Sequence, residues 1–406
     1  MVAHREGTQM LCTDSHKDFI THVAFDFYGR RIATSSSDMF VCVWDASQDG
    51  KDWTRTAFWK SNCGPVWKVR WAHPEFGQIL ATCSFDRTVQ IYEETGNKKA
   101  SRLARAGIQV GRGEASNNWV KRSTLNESAV NVTDIQFAPR YMGLMLATGA
   151  KDGMVRIYEA PDIMNITQWE CIHEIDFFRE ALITAFPELR HHPVKEVSNG
   201  KEQSKEEPQF PDIRISALSW STCRFQRQLL AASTDSEDER ANACRVVFFE
   251  CVEERKCYEW MSELTIREND PITDIAFAPS SGRTFHQFAV AIRDQAFIHH
   301  INALEIQEVV ESDKAVTIGT VRRKPAYVQK VVYKVNLVAG INANKVRIWR
   351  LSWNVTGSVL SLGGSDGSVH IWKRFPPNIF KQIGYREPQY SSKHKRGATS
   401  NGQPFY

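Results

Sequence analysis

The sequence has no CxxC pair. Its nine cysteines are an odd number, and the closest two, Cys251 and Cys257, lie six positions apart. That spacing supports neither a disulfide framework nor a zinc site; it reads as reduced thiols of a cytosolic or nuclear protein. No run approaches the ~18 apolar residues that a membrane span needs. The first ten residues, MVAHREGTQM, lack an apolar core, so no secretory leader is expected. Sequons such as the one at Asn131 are then chance matches. An excess of one charge is missing too: 51 Lys and Arg stand against 47 Asp and Glu, a formal net charge of +4. That balance does not by itself imply a polyanion-binding protein. No Ser-His-Asp order, nucleophile elbow or phosphate-cradling glycine loop is visible. The pairs His191-His192 and His299-His300 have no Cys or Asp at ligand spacing, and adjacent strand residues point to opposite sides. No catalytic residue, metal or cofactor is expected.

What the chain does have is repetition. Its 406 residues are 42% apolar and 11% aromatic, with 12 Trp, enough for a sizeable core in one large domain or two to three ordinary ones. "SFDRTVQIYE" at 84–93 returns as "SSDMFVCVWD" at 36–45, "AKDGMVRIYE" at 150–159 and "GSDGSVHIWK" at 364–373. With their preambles the copies run over 16–45, 64–93, 131–159 and 345–373, and two weaker copies fill 213–250 and 270–301. Each copy reads as three strands. The first ends in an aromatic: Phe25, Trp71, Phe137, Trp220, Phe277 or Trp353. The second is a small-apolar run. A tight turn carrying Asp38, Asp86, Asp152 or Asp366 leads to the third, where short carboxylates cap backbone amides. Trp44, Tyr92, Tyr158, Phe249 and Trp372 mark the third strands, with one further equivalent expected near His300. A fourth strand follows most copies, at 54–60, 117–125, 167–175 and 256–264, and 328–337 can serve after the fifth. After the last copy, 378–385, with Gly384 inside, is the only candidate. Four strands per repeat is a propeller blade, so the fold expected is all-β and six-bladed. One blade cannot bury both faces; stacked neighbours do it for each other, which is why the sequence repeats.

These are WD repeats by pattern, with Trp44-Asp45 nearest to the name-giving dipeptide. Longer segments are more specific. "HKDFITHVAFDFYGRRIATSSSD", "VWKVRWAHPEFGQILATCSFDRT", "NWVKRSTL", "FAPRYMGLMLATGAKDGMVRIYEAPD", "DIAFAPSSGRTFH" and "IWRLSWNVTG" stand in family order across roughly 15–373. Together they resemble the Seh-one family of nucleoporins, Sec-thirteen-like propellers of the Y-shaped nuclear pore subcomplex. The resemblance implies a scaffold of the pore outer ring that supports protein and mRNA transport. It also implies an open propeller, completed by a blade that an α-helical solenoid nucleoporin of the Nup-eighty-five type inserts. Other Y-subcomplex nucleoporins are further implied partners, as are subunits of the GATOR complex that relays amino-acid sufficiency to TOR kinase. The implied places are the nuclear envelope, the lysosomal surface and the kinetochore. The alternatives are a Sec-thirteen-type vesicle-coat propeller or another WD adaptor. A peptide- or phosphate-reading adaptor would need a ring of Arg at the axial mouth.

The residues add their own expectation about the open ring. If 378–385 is the sixth blade's own fourth strand, then "TQMLCT" at 8–13, within the N-terminal segment 1–14, is a spare strand. The junction is expected at Leu11 in that strand and on the blades either side. Blade 1 offers Ile20, Val23 and Phe25 with Val41 and Val43; blade 6 offers Leu351, Trp353, Val369 and Ile371. The propeller should span 15–385, interrupted by polar insertions near 94–116, 189–211, 234–243 and 311–326, with a disordered tail at 386–406. Lys98, Lys99, Arg102, Arg105, Arg112, Lys121 and Arg122, and the tail's "KHKR" at 393–396, are expected in solvated segments rather than at a nucleic-acid contact; the alternatives are an acidic or nucleic-acid partner and, for "KHKR", a nuclear-localisation fragment.

Overall fold

Alternating, β-branched and aromatic segments separated by short Gly- and Asp-bearing turns should fold back on themselves as antiparallel meanders. The computed structural model, which describes residues 15–50, 52–95, 118–187, 213–252, 257–280, 282–310, 326–376 and 378–386, contains six of them. Blade 1 is β1 (Ile20–Phe25), β2 (Arg31–Ser36), β3 (Phe40–Ala46) and β4 (Trp53–Lys60). Blade 2 is β5 (Val66–Trp71), β6 (Ile79–Ser84), β7 (Val89–Glu94) and β8 (Trp119–Leu125). Blade 3 is β9 (Val132–Phe137), β10 (Met145–Ala150), β11 (Met154–Glu159) and β12 (Glu170–Asp176). Blade 4 is β13 (Ala217–Trp220), β14 (Leu229–Ser233), β15 (Val246–Val252) and β16 (Cys257–Trp260). Blade 5 is β17 (Ile272–Phe277), β18 (His286–Ile292), β19 (Gln295–Val310) and β20 (Ala326–Asn342). Blade 6 is β21 (Ile348–Trp353), β22 (Val359–Gly364), β23 (Val369–Phe375) and β24 (Ile379–Arg386).

Each of the six expected aromatics is the last residue of its first strand, and each copy has its fourth strand. β24 pairs with β23 from Phe375↔Ile379 to Val369↔Arg386, so blade 6 is completed by its own chain. The third-strand marker of blade 5 is His299, opposite Phe288 and next to His300, near which the sequence predicts it.

The first strands pack side by side in chain order: β1 on β5, β5 on β9, β9 on β13, β13 on β17, and β17 on β21. No comparable packing returns from β21 to β1. The core is therefore a series of sandwich layers. In one layer the trailing face of blade 2 (Ile79, Ala81, Val89, Ile91) meets the leading face of blade 3 (Val132, Ile135, Leu146, Tyr158). Equivalent layers join blades 1 to 2, 3 to 4, 4 to 5 and 5 to 6.

Two elements depart from the plain repeat. A seven-residue helix, α1 (Arg179–Ala185), follows blade 3 and buries Ala181 and Leu182 beside Phe177 and Phe178. The stretch at 234–243, expected as a polar insertion, is instead packed. It contains a 3-10 helix (Glu239–Cys244) whose Ala241 and Cys244 join the same blade 3–4 layer. Small apolar side chains on one side of that turn give it surface to bury, which the charged residues around it mask in the sequence. The other insertions, the N-terminal 1–14 and the tail beyond Arg386 lie wholly or almost wholly outside the described residues.

Candidate partner-blade interface

Every first strand has the same six-position plan. Position 1 is Ile20, Val66, Val132, Ile215, Ile272 or Ile348; position 4 is Val23, Val69, Ile135, Leu218, Ile275 or Leu351. Positions 1, 4 and 6 face the preceding blade, as Val132, Ile135 and Phe137 face blade 2. In blades 2 to 6 no position-1 or position-4 side chain is more than 8% exposed. In blade 1 Ile20 is 56%, Val23 47% and Phe25 59% exposed. The residue types are the same, so the difference comes from the missing neighbour. Phe19, just before the strand, is exposed as well, and in the turn after it Phe27 and Tyr28 are exposed at the axial mouth, where the Phe27 ring meets His73 of blade 2 at 4.8 Å.

The opposite wall is the trailing face of blade 6. Its third strand places Val369 and Ile371 where blade 1 places Val41 and Val43, both fully buried against blade 2. Val369 is 37% exposed and Ile371 is partly so. Of the residues expected at the junction, Ile20, Val23, Phe25 and Val369 are exposed and Ile371 is partly so, on faces that no neighbouring blade covers among the described residues. Leu351 and Trp353 face the other way: both pack against blade 5, and the Trp353 indole donates to the Ala276 carbonyl at 3.2 Å. Val41 and Val43 likewise belong to the blade 1–2 layer. The reason is geometric. A blade's first strand turns its apolar positions toward the preceding blade, and its third strand turns Val and Ile toward the next, so the two sets are on opposite faces. Leu11 and segment 8–13 lie outside the described residues.

The turn aspartates are bound into the blades. Asp38 accepts from the amides of Lys17 and Phe40, at 2.8 and 2.9 Å. Asp86 accepts from the amides of Cys63 and Thr88, at 2.7 and 3.0 Å, and from the Thr88 hydroxyl at 2.7 Å. Asp152 and Asp366 accept from the amides of Met154 and Ser368. Burial alone would raise the Asp38 and Asp86 carboxyls, but these donors outweigh it and hold both below the usual range. The residue after the aspartate is left-handed: Gly153 and Gly367, but also Met39 and Arg87 at φ 73° and 72°. Sequence reasoning missed His16. Its ring bridges Asp38 (3.2 Å) and the Thr34 hydroxyl (2.8 Å), and the Trp44 indole donates to the same hydroxyl at 3.3 Å. No local spacing signals a partner 22 residues away.

The axial mouth bears on the Arg ring that a peptide- or phosphate-reading adaptor would need. On the side of the first turns it is a cavity of about 890 Å³ whose lining includes two arginines, Arg140 and Arg224. Arg140 contacts Glu75 at 3.5 Å, and Arg224 lies over the Tyr141 ring at 4.9 Å. No ring of Arg is assembled there among the described residues. Nor, among them, are three or more His, Cys, Asp or Glu side chains gathered closely enough to hold a metal. His299 and His300 are pushed down to about 4 by burial, and one nitrogen of each ring is buried without a partner. No described helix is long and apolar enough to cross a membrane.

Six four-stranded antiparallel blades packed in chain order define a protein of the WD-repeat propeller class. The family model for the WD domain, G-beta repeat, matches residues 7–45, 53–93 and 336–373. Nucleoporin SEH1 of Homo sapiens is 39% identical over 360 residues, covering 88% of this chain and 82% of the relative. The Xenopus tropicalis protein of the same name is 38% identical over 371 residues, covering 91% and 85%; that of Danio rerio is 36% identical over 360 residues, covering 88% and 81%. The chain belongs to the nucleoporin SEH1 family.

Proposed function

We propose that this protein is a non-enzymatic structural scaffold of the nuclear pore complex outer ring. In the Y-shaped subcomplex it is held by an α-helical solenoid nucleoporin that inserts a blade between blades 6 and 1. The observation that carries the reading is the bare leading face of blade 1, where Ile20, Val23 and Phe25 are exposed although their counterparts in the other blades are partly or wholly buried. An apolar face of that kind is an aggregation liability unless a partner covers it. Filling a blade-sized gap buries two sheet faces, which places the contact in the obligate class, above ~2,000 Å². Segment 8–13 with Leu11 is proposed to add a strand to the inserted blade by β-augmentation. The role in protein and mRNA transport follows from holding the pore ring together. The same gap is proposed to accept a GATOR subunit, which carries the chain into TOR regulation at the lysosomal surface; kinetochore residence follows the pore subcomplex.

Affinity purification of the full chain with mass spectrometry tests this. Solenoid nucleoporins, with or without TOR regulators, should be recovered, and Val23→Asp should remove them. Recovery of vesicle-coat subunits alone would establish the Sec-thirteen-type alternative. Unchanged recovery with Val23→Asp would refute blade insertion at this face.

A further inference from the structure

Positions 2 and 3 of the first strands carry the joints between blades. Position 2 is a hydroxyl in four blades. Thr21 donates to the Val66 carbonyl, Thr133 to Ile215, Ser216 to Ile272 and Thr273 to Ile348, each the position-1 carbonyl of the next blade. Position 3 is Asp in blades 3 and 5. There Asp134 and Asp274 accept the amides of Leu218 and Leu351 in the next blade, both at 2.8 Å.

Blades 2 and 6 break the plan in the same way. They read Val66-Trp67-Lys68-Val69 and Ile348-Trp349-Arg350-Leu351. A cation at position 3 cannot accept an amide. In blade 2 the joint is made differently: Lys68 Nζ lies 2.6 Å from Asp134 Oδ2, the position-3 carboxylate of the next blade, and both side chains are almost fully buried. Blade 6 has no next blade. Arg350 is exposed, and the hydrogen bond the structure gives its guanidinium is to the neighbouring Trp349 carbonyl at 3.4 Å. Its charge is felt around the axis. After burial, the fields of Arg70, Lys68 and Arg350 hold His22 well below its ordinary value. Lys68 feels the charges of Asp134, Asp274, Arg350 and Arg70, so three cations share the neighbourhood of two carboxylates that already accept amides, and Lys68 takes one of these as its ion-pair partner.

Resting on the reading that a partner blade fills the gap, we propose that this blade bears an Asp or Glu at the third position of its inner strand. That carboxylate pairs with Arg350 as Asp134 pairs with Lys68. Arg350 is then a specificity residue: it favours blades with an axial acid and rejects those with a neutral or basic residue there.

The test uses the full chain and the solenoid partner recovered with it. Arg350→Glu should weaken binding at least about tenfold, with Arg350→Lys close to wild type. Changing the acid on the partner's inner strand to Lys should restore binding to Arg350→Glu and weaken it to wild type. Circular dichroism melts check that the exposed substitution leaves the propeller folded. Val23→Asp separates the two levels. If it leaves binding intact, blade insertion itself fails. If it abolishes binding while Arg350→Glu does not, or if no charge swap rescues Arg350→Glu, insertion stands and this pairing is overturned. A dimer of the chain alone that depends on Arg350 would overturn it as well.

Discussion

The Lys68 ammonium and the Asp134 carboxylate are 2.6 Å apart, sealed between blades 2 and 3. Burial pulls the Lys68 ammonium below its usual range, and Asp134 offsets that. A buried pair is costly to break from one side, because the survivor stays charged and desolvated. Lys68→Met alone should destabilise the propeller by about 3 kcal/mol. Adding Asp134→Leu should recover part of that loss. Chemical denaturation of the three proteins checks it; additive losses would show that the two groups are not coupled.

Opposite faces of the seam blades should respond oppositely to charge. Val23→Asp lies on an exposed face and should change stability by no more than about 0.5 kcal/mol. Leu351→Asp puts a carboxylate into the blade 5–6 layer and should cost about 3 kcal/mol or more, or prevent folding. Thermal melts of the isolated chain decide; equal effects would contradict the face assignment.

Acid should loosen blade 5 before it loosens the turns. His286 sits with Nδ1 2.6 Å from the Ser221 hydroxyl and is pushed down to about 4 by burial, as are His299 and His300. Between pH 6.5 and 4 the unfolded chain binds protons that the folded chain does not, so stability falls as pH drops through that window and is flat above it. For His286 the full shift is worth on the order of 3 kcal/mol. Melting temperature against pH should show the slope, and His286→Asn should reduce it. Asp38 and Asp86 are held low, so their contribution persists to lower pH and disappears only as pH falls through their folded values.

Asp86→Ala removes the acceptor of two amides and one hydroxyl. A loss of about 2 kcal/mol is expected, larger than for Asp152→Ala, whose carboxylate accepts one amide and a long contact from Arg156 at 3.4 Å. Urea titration of both variants checks the order.

The strands were legible in the sequence because turn chemistry and alternation mark them locally; even "NIFKQIGY", with Gly384 inside, pairs as expected. What alternation cannot tell is which neighbour a face meets. Each first strand except β13 carries a register shift near its start, as between Ile20 and His22 or Ile348 and Arg350, and the third strand faces the other way. Leu351 and Val369 therefore looked like one wall and form two. Helix α1 spans too few residues to show a helical period, and the His16–Asp38 bond joins residues too distant for any spacing rule.

Because, among the described residues, β21 does not pack on β1 as the other first strands pack on one another, the six blades behave as a short linear chain with two ends rather than a circle. In such an array each unit is held by its neighbours, and terminal units are held from one side only. Amide exchange should therefore run fastest in blades 1 and 6 and slowest in blades 3 and 4, a gradient that a closed circle cannot have. Whatever occupies the seam turns two termini into interior units at once. Its affinity is then drawn partly from ending the fraying of this chain, and its departure loosens both sides together.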